Sequence, residues 1–193
     1  MLSIINYPHP TLRHQSKPIR RVDKRLKSMV AEMFELMYEH KGIGLAANQV
    51  DLPFQLFVIN PSGEKDTNEE RVLINPVVQR PKGTSEHDEG CLSIPGVYGK
   101  VIRPAQVHVI AYDLQGNKMD ETVDGMLSKV IQHEYDHLQG VLFPDRMSEA
   151  AKKSIEDELD EFELEFAAML KKDDGLLAEN TKLRLAKLES EYC

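Results

Sequence analysis

Five residues, His133-Glu134-Tyr135-Asp136-His137, set strong limits on how this 193-residue chain can fold. They lie within residues 126–139, whose periodicity predicts an amphipathic helix closed by Gly140. Histidines four residues apart share one helix face, so both imidazoles can reach one metal ion, with the glutamate beside it. The helix also carries apolar residues that predict its burial: Leu127, Val130, Ile131 and Leu138. The rest of the chain must therefore enclose this helix and leave its histidine face open to a ligand.

A metal site on this helix needs a third protein ligand, and the sequence leaves several candidates open. Catalytic zinc-type sites use three protein ligands and keep one position for water. His137 is the last histidine, so a downstream ligand would be a carboxylate such as Glu149 or Glu156. Upstream, Cys91 stands in the segment 89–93, and a thiolate is a strong ligand for a divalent transition metal. Cys91 has two further interpretations, a small buried apolar residue or a nucleophile with a histidine as its base.

The remaining pattern predicts an α+β fold, with mostly antiparallel strands packed around the central metal-binding helix and a C-terminal helix. An amphipathic helix is predicted over residues 24–40, with Asp23 as its N-cap and methionines that fill the core. Strands are predicted at 54–60 and 71–79, and two or three antiparallel strands over 97–123. Residues 141–143 are predicted to form either a short strand or an extended segment that leads out of the central helix. Strands and helices occur in separate runs and do not alternate, which favours α+β over a parallel α/β fold.

The C-terminal part of the chain differs from the rest in charge. The net charge of the chain is −8, and residues 148–193 hold 13 acidic and 7 basic side chains. Apolar residues in this part have the spacing of a helix seam: Ile155, Leu159, Phe162, Phe166 and Met169. Asp173-Asp174-Gly175 interrupts the seam before a second leucine-rich stretch. The first helix is predicted to pack on residues 1–147, and self-association through this acidic helical extension is the alternative.

Charge and hydropathy exclude several functional classes. The acidic balance argues against a nucleic-acid binder, because such proteins usually carry a dense basic stripe. No run approaches the ~20 apolar residues that a membrane span needs. Residues 1–10 have neither a charged leader nor an apolar stretch, so we predict no secretory signal and a cytoplasmic location.

The segment from Gly42 to Gln49 is a second candidate site. Its first six residues imitate the dinucleotide fingerprint G-x-G-x-x-A. That fingerprint must follow a strand and open a helix, whereas this segment follows the predicted 24–40 helix and precedes a strand. The glycines are better explained as positions where backbone approaches a ligand closely, with Gln49 offering a neutral amide donor.

Three motifs together resemble one family, the peptide deformylases. Members of this family carry G-x-G-L-A-A-x-Q, E-G-C-L-S and H-E-x-D-H in this order, and the chain matches every fixed position in segments 42–49, 89–93 and 133–137. The resemblance covers about residues 1–147, which it identifies as a catalytic deformylase domain, and leaves 148–193 as the acidic helical extension.

The resemblance implies a metal-dependent hydrolase that removes the formyl group from the N-terminal formyl-methionine of new polypeptides and releases formate. Cys91, His133 and His137 would hold one divalent transition metal, Fe²⁺ in the cell, with Zn²⁺, Ni²⁺ or Co²⁺ as substitutes. Glu134 would take the proton of the metal-bound water that attacks the formyl carbon and return it to the leaving amine. The implied partners are the formyl-Met nascent peptide and, transiently, the ribosome, with no nucleic acid and no membrane.

The family's substrate-binding residues also map onto this chain. The Gln49 amide and the Leu92 backbone N–H would stabilise the oxyanion, and the Gly44 backbone would bind the substrate main chain. Apolar candidates for the methionine pocket are Ile43, Leu92, Met126 and Val130. His87 and Lys129 stand where apolar residues are expected. A network of Glu89, Arg103 and Asp136 would orient the metal ligands.

Two other functions remain as alternatives. A zincin-like peptidase that cuts internal bonds would not need Cys91. A binding protein would hold its metal structurally, with four protein ligands.

Overall fold

The computed structural model describes residues 1–65, 67–172 and 176–193. In these ranges the strands are β1 (Gly44–Ala46), β2 (Leu56–Ile59), β3 (Arg71–Lys82), β4 (Ser85–Cys91), β5 (Ile94–Arg103), β6 (Gln106–Tyr112) and β7 (Lys118–Asp124). The α-helices are α1 (Lys24–Glu39), α2 (Gly125–Leu138), α3 (Glu149–Lys152), α4 (Glu156–Lys172) and α5 (Leu176–Tyr192). The break predicted at Asp173-Asp174-Gly175 lies outside the described residues.

The strands form two antiparallel sheets beside α2. One sheet has the order β1-β2-β3-β6-β7, and β4 and β5 form a separate two-stranded sheet. Val130, Ile131 and Leu138 of α2 share a core cluster with Phe57 and Val109 of the larger sheet. The predicted α+β fold with a central helix is therefore confirmed.

Helix α1 agrees closely with the prediction, because its N-cap and its apolar periodicity can both be recognised within the helical segment itself. The Asp23 side chain accepts a hydrogen bond from the Leu26 backbone N–H at 2.9 Å, as an N-cap does. Met33 and Met37 are fully buried in the same cluster as Phe54, which agrees with their predicted role as core fillers.

The structure differs from the predicted strands at several places, one of which is the short strand β1, for which no strand was predicted. Strand β4 was not predicted, because its sequence Ser85–Cys91 has no branched apolar residue to mark it. Strand β3 runs on to Lys82 past two register shifts, the first of them around Pro76, which cannot donate to the ladder. The predicted short strand or extended exit over 141–143 is wrong in part, since a 3₁₀ turn begins at Phe143 and runs to Arg146.

The C-terminal helices contribute to the core. Ile155 and Leu159 pack with Phe143, so the predicted packing of the first C-terminal helix on the rest of the chain is confirmed. In α5, Leu188 and Tyr192 join the cluster of α1, and the Tyr192 ring meets the Phe54 ring at a centroid distance of 5.1 Å. No helix in the described ranges is long and apolar enough to cross a membrane.

Two leucines of α5 give a direct measure of this packing. Leu188 is 7% exposed and Leu183 is 64% exposed. We expect Leu188→Ala to lower the free energy of unfolding by about 2–5 kcal/mol, because it removes buried methyl groups and leaves a cavity. The same change at Leu183 should stay within about 0.5 kcal/mol. Denaturant unfolding measures both, and equal effects would contradict the docking of α5.

Candidate functional site

Helix α2 presents both histidines of the central motif on one face. The two imidazole centroids lie 5.0 Å apart with 73° between the ring planes. His137 is 1% exposed, and its backbone carbonyl accepts a hydrogen bond from the Asn48 side chain at 2.5 Å. The helix is therefore fixed at its histidine face by the segment that follows β1.

Cys91 reaches the histidines from the end of β4. Its Sγ lies 3.2 Å from His137 Nε2. Potential ligand atoms of Cys91, His133 and His137 all lie within 4.8 Å of one another, and the described residues contain no other group of this kind. One thiolate and two imidazoles suit Zn²⁺ and several other divalent transition metals, so these residues fit the implied ion. Glu149 and Glu156, the downstream candidates, are not part of the group.

A buried carboxylate orients His133. Glu89 is 6% exposed, and its Oε2 lies 2.9 Å from His133 Nδ1, which leaves Nε2 for a metal. Arg103 binds the same carboxylate through two nitrogens, with Nη2 at 2.8 Å from Oε2. Burial would raise the pKa of Glu89, but the hydrogen bonds from Arg103 and His133 outweigh it and hold that pKa far below its usual range. Glu89 therefore remains a carboxylate beside the ligand.

The network extends through Arg103 to a second carboxylate. Arg103 Nη1 donates to Asp136 Oδ2 at 2.7 Å. Arg146 donates to both oxygens of Asp136, at 2.6 Å from Nη2 and 3.0 Å from Nε. The structure thus brings together the three residues expected to orient the ligands. Arg146 was not foreseen, because nothing in its local sequence marks a partner ten residues upstream on α2.

Glu134 lies buried beside the ligand group. The side chain is 3% exposed, and its Oε2 makes no hydrogen bond with any described residue. Burial, assisted by the negative charge of Glu89, raises the pKa of Glu134 to about 7. A carboxyl group with a pKa near neutrality can both accept and return a proton.

Gly44 provides the space that Glu134 occupies. A Cβ at position 44 would lie 2.3 Å from Glu134 Oε1 and 2.9 Å from its Cδ. Both distances are below those that real Cβ atoms show, and the buried glutamate has little room to move. The absence of a side chain at Gly44 therefore leaves the space in which the carboxylate lies.

Gly44→Ala is expected to reduce turnover by about 10²-fold, because displacing a catalytic group by ~1 Å can cost that much. Metal content should not change, since the three atoms nearest to the added Cβ all belong to Glu134, which is not one of the ligand residues. Steady-state kinetics and metal analysis on the same preparation measure the two quantities. Normal turnover in this variant would show that the carboxylate tolerates displacement.

Gln49 and Ser93 surround the sulfur of Cys91. The Gln49 amide donates from Nε2 to Cys91 Sγ at 3.3 Å and to Ser93 Oγ at 3.2 Å. Its Oε1 accepts from the Ala46 backbone N–H at 2.8 Å, which fixes the orientation of the amide. Gln49 thus points its donors into the site next to Leu92. Ser93 is fully buried here, and nothing in the segment 89–93 by itself indicates this contact with Gln49.

A cavity of about 630 Å³ opens onto this group. Nearly all residues predicted to act on substrate or metal line it: Ile43, Gly44, Gln49, Cys91, Leu92, Met126, Val130, His133 and Glu134. The exception is His137, which lies beneath the surface. Met126 is 54% exposed at the mouth, whereas Val130 is 6% exposed and belongs also to the core. His87 and Lys129 line the same cavity.

Comparison with known proteins gives a consistent result. The family model described as Polypeptide deformylase matches residues 1–153. A peptide deformylase of Rhodopirellula baltica is 50% identical over 190 residues, covering 98% of this chain and 94% of that protein. A solved structure of Arabidopsis thaliana peptide deformylase 1B in complex with an inhibitor has a TM-score of 0.84 at 42% identity, over 87% of this chain and 93% of that one. A Plasmodium falciparum peptide deformylase has a TM-score of 0.83 at 40% identity, over 86% and 98%. With its three motifs assembled around one cavity, the chain belongs to the peptide deformylase family.

Proposed function

We propose that this chain is a metal-dependent hydrolase that removes the formyl group from N-terminal formyl-methionine of newly made polypeptides. This reaction is the activity of its family. The observation that supports it most directly is the meeting of Cys91, His133 and His137 next to the buried Glu134. The cavity at this position gives a peptide N-terminus access to Cys91, His133 and Glu134, and His137 lies directly beneath them.

Cys91, His133 and His137 would hold the ion. When bound, a divalent ion of this kind lowers the pKa of water and polarises a carbonyl oxygen. Glu134 takes a proton from the attacking water as the new C–O bond forms at the formyl carbon. It then delivers that proton to the amine nitrogen as the C–N bond breaks, so that formate and a free N-terminus leave.

Donors around Cys91 would stabilise the negative charge that develops on the formyl oxygen. The Gln49 amide can exchange its contact with Cys91 or Ser93 for one with this oxygen, and the Leu92 backbone N–H is the second donor. Removing one such donor typically lowers the rate by ~10²–10³-fold.

The apolar part of the cavity would receive the methionine side chain. Ile43, Leu92, Met126 and Val130 are the side chains that we assign to this contact. We assign the substrate main chain to the Gly44 backbone, which β1 places beside Glu134.

The proposal also includes the identity of the metal ion and the location of the enzyme in the cell. Fe²⁺ is the ion that we propose in the cell, and Zn²⁺, Ni²⁺ or Co²⁺ can occupy the same donor set. We place the enzyme in the cytoplasm, where formylated chains emerge from the ribosome, with transient ribosome contact.

A formate-release assay tests the proposed reaction. The Fe²⁺-loaded protein should release formate from formyl-Met-Ala-Ser, and a chelator should abolish the release until metal is restored. Acetyl-Met-Ala-Ser is the matched control and should remain intact. Absence of formate with every metal tried would refute the proposal, and cleavage of internal peptide bonds would favour a different metallohydrolase.

A further inference from the structure

One unusual feature of the cavity is a lysine on the wall that α2 forms. Lys129 lies one turn before His133, so both side chains project from the same face of α2. Lys129 is partly buried and lines the cavity. Its ammonium makes no hydrogen bond or ion pair with any residue of the described ranges.

His87 is a second polar group on this wall. It lies on β4 four residues before Cys91, and its side chain is 15% exposed. Neither ring nitrogen makes a hydrogen bond with another described residue, although Nε2 lies 2.8 Å from Glu89 Oε1. Nε2 is thus at ion-pair distance from Glu89, and Nδ1 is the ring nitrogen without a partner. Buried polar groups are nearly always paired, so Nδ1 is the atom of His87 that a ligand in the cavity would satisfy.

These two groups are poorly matched to an unmodified methionine. A thioether sulfur is only a weak hydrogen-bond acceptor. A methionine side chain that fills the cavity would remove water from the Lys129 ammonium and offer little in return. A sulfoxide oxygen on the same side chain is a true acceptor, and its bond to an ammonium would be charge-assisted.

We propose that Lys129 and His87 bind an acceptor oxygen on the first side chain of the substrate, and that the enzyme also deformylates chains beginning with formyl-methionine sulfoxide. Methionine sulfoxide is the ordinary oxidation product of methionine. The inference rests on the proposed function and leaves its chemistry unchanged. Water cleaves the formamide C–N bond as before, the proton goes to the amine, and the sulfoxide is neither oxidised nor reduced.

The test compares two peptides that differ only at the sulfur position, formyl-methionine sulfoxide-Ala-Ser (each epimer separately) and formyl-norleucine-Ala-Ser. The measured quantity is the ratio of their kcat/KM values for the metal-loaded enzyme. Lys129→Met should lower the ratio by about tenfold or more, because a hydrogen bond to a charged group is worth about that factor. His87→Leu should shift it in the same direction, and Lys129→Arg should retain it. Lys27→Met, at an exposed position of α1 outside the cavity lining, is the matched control.

Three results would overturn the inference. The first is a ratio that stays within about twofold of wild type in Lys129→Met, which would mean that the ammonium points to solvent. The second is turnover of the norleucine peptide with complete rejection of both sulfoxide epimers, which leaves the proposed function intact. The third is absence of formate from every formylated peptide, which refutes the proposed function as well.

Discussion

Glu134→Gln should lower kcat by about 10²–10⁴-fold, the usual contribution of a general acid–base group. The substitution keeps the size of the side chain, so the buried position beside Gly44 remains filled. Glutamine cannot take a proton from water and return it to the amine. Metal content should stay at the wild-type level, because Glu134 is not one of the three ligand residues.

Two further variants make this expectation specific. Glu134→Asp keeps the acid but withdraws it by one methylene, and we expect an intermediate rate. Glu158→Gln makes the same chemical change at an exposed position of α4 and should have no effect. Nearly normal formate release by Glu134→Gln would remove this residue from the mechanism.

Cys91→Ser should weaken metal binding by on the order of 10²-fold or more, since loss of a partner that merely orients a ligand already costs 10–100-fold. A serine hydroxyl stays protonated where a thiol ionises, so the two histidines would be left with a poor third donor. Activity should fall with the metal content. Competition with a chromogenic chelator measures the affinity directly.

The second cysteine of the chain supplies the control. Cys193 lies far from the site, with its Sγ 3.7 Å from the Lys17 carbonyl, so Cys193→Ser should bind metal normally. Unchanged metal affinity and activity in Cys91→Ser would instead favour the zincin-like alternative, with a ligand other than the thiol.

Local sequence patterns predicted the helical part of the site well. The face shared by His133 and His137 follows from helix periodicity alone, and so does the burial of Val130 and Ile131. The cap at Asp23 is equally local. Such features need no knowledge of the rest of the chain.

The convergence of Cys91 on this helix could not be deduced from periodicity. It depends on strand β4, whose polar sequence gives no strand signal, and on its antiparallel pairing with β5. The motif resemblance supplied what periodicity could not. The same holds for Arg146 and Ser93. Arg146 contacts Asp136 only because the chain turns back after α2, and Ser93 contacts Gln49, which is 44 residues away in the sequence.

A metal ion at this site would cross-link the two-stranded sheet of β4 and β5 to helix α2. Cys91 and His137 are 46 residues apart, so an ion held by both closes a long chain loop. Such a cross-link favours the folded state by mass action, because the ion binds the folded chain and not the unfolded one. The melting temperature should therefore rise with the concentration of free ion. When the ion is withdrawn, the backbone at the end of the β4–β5 hairpin should be the first to exchange its amide hydrogens.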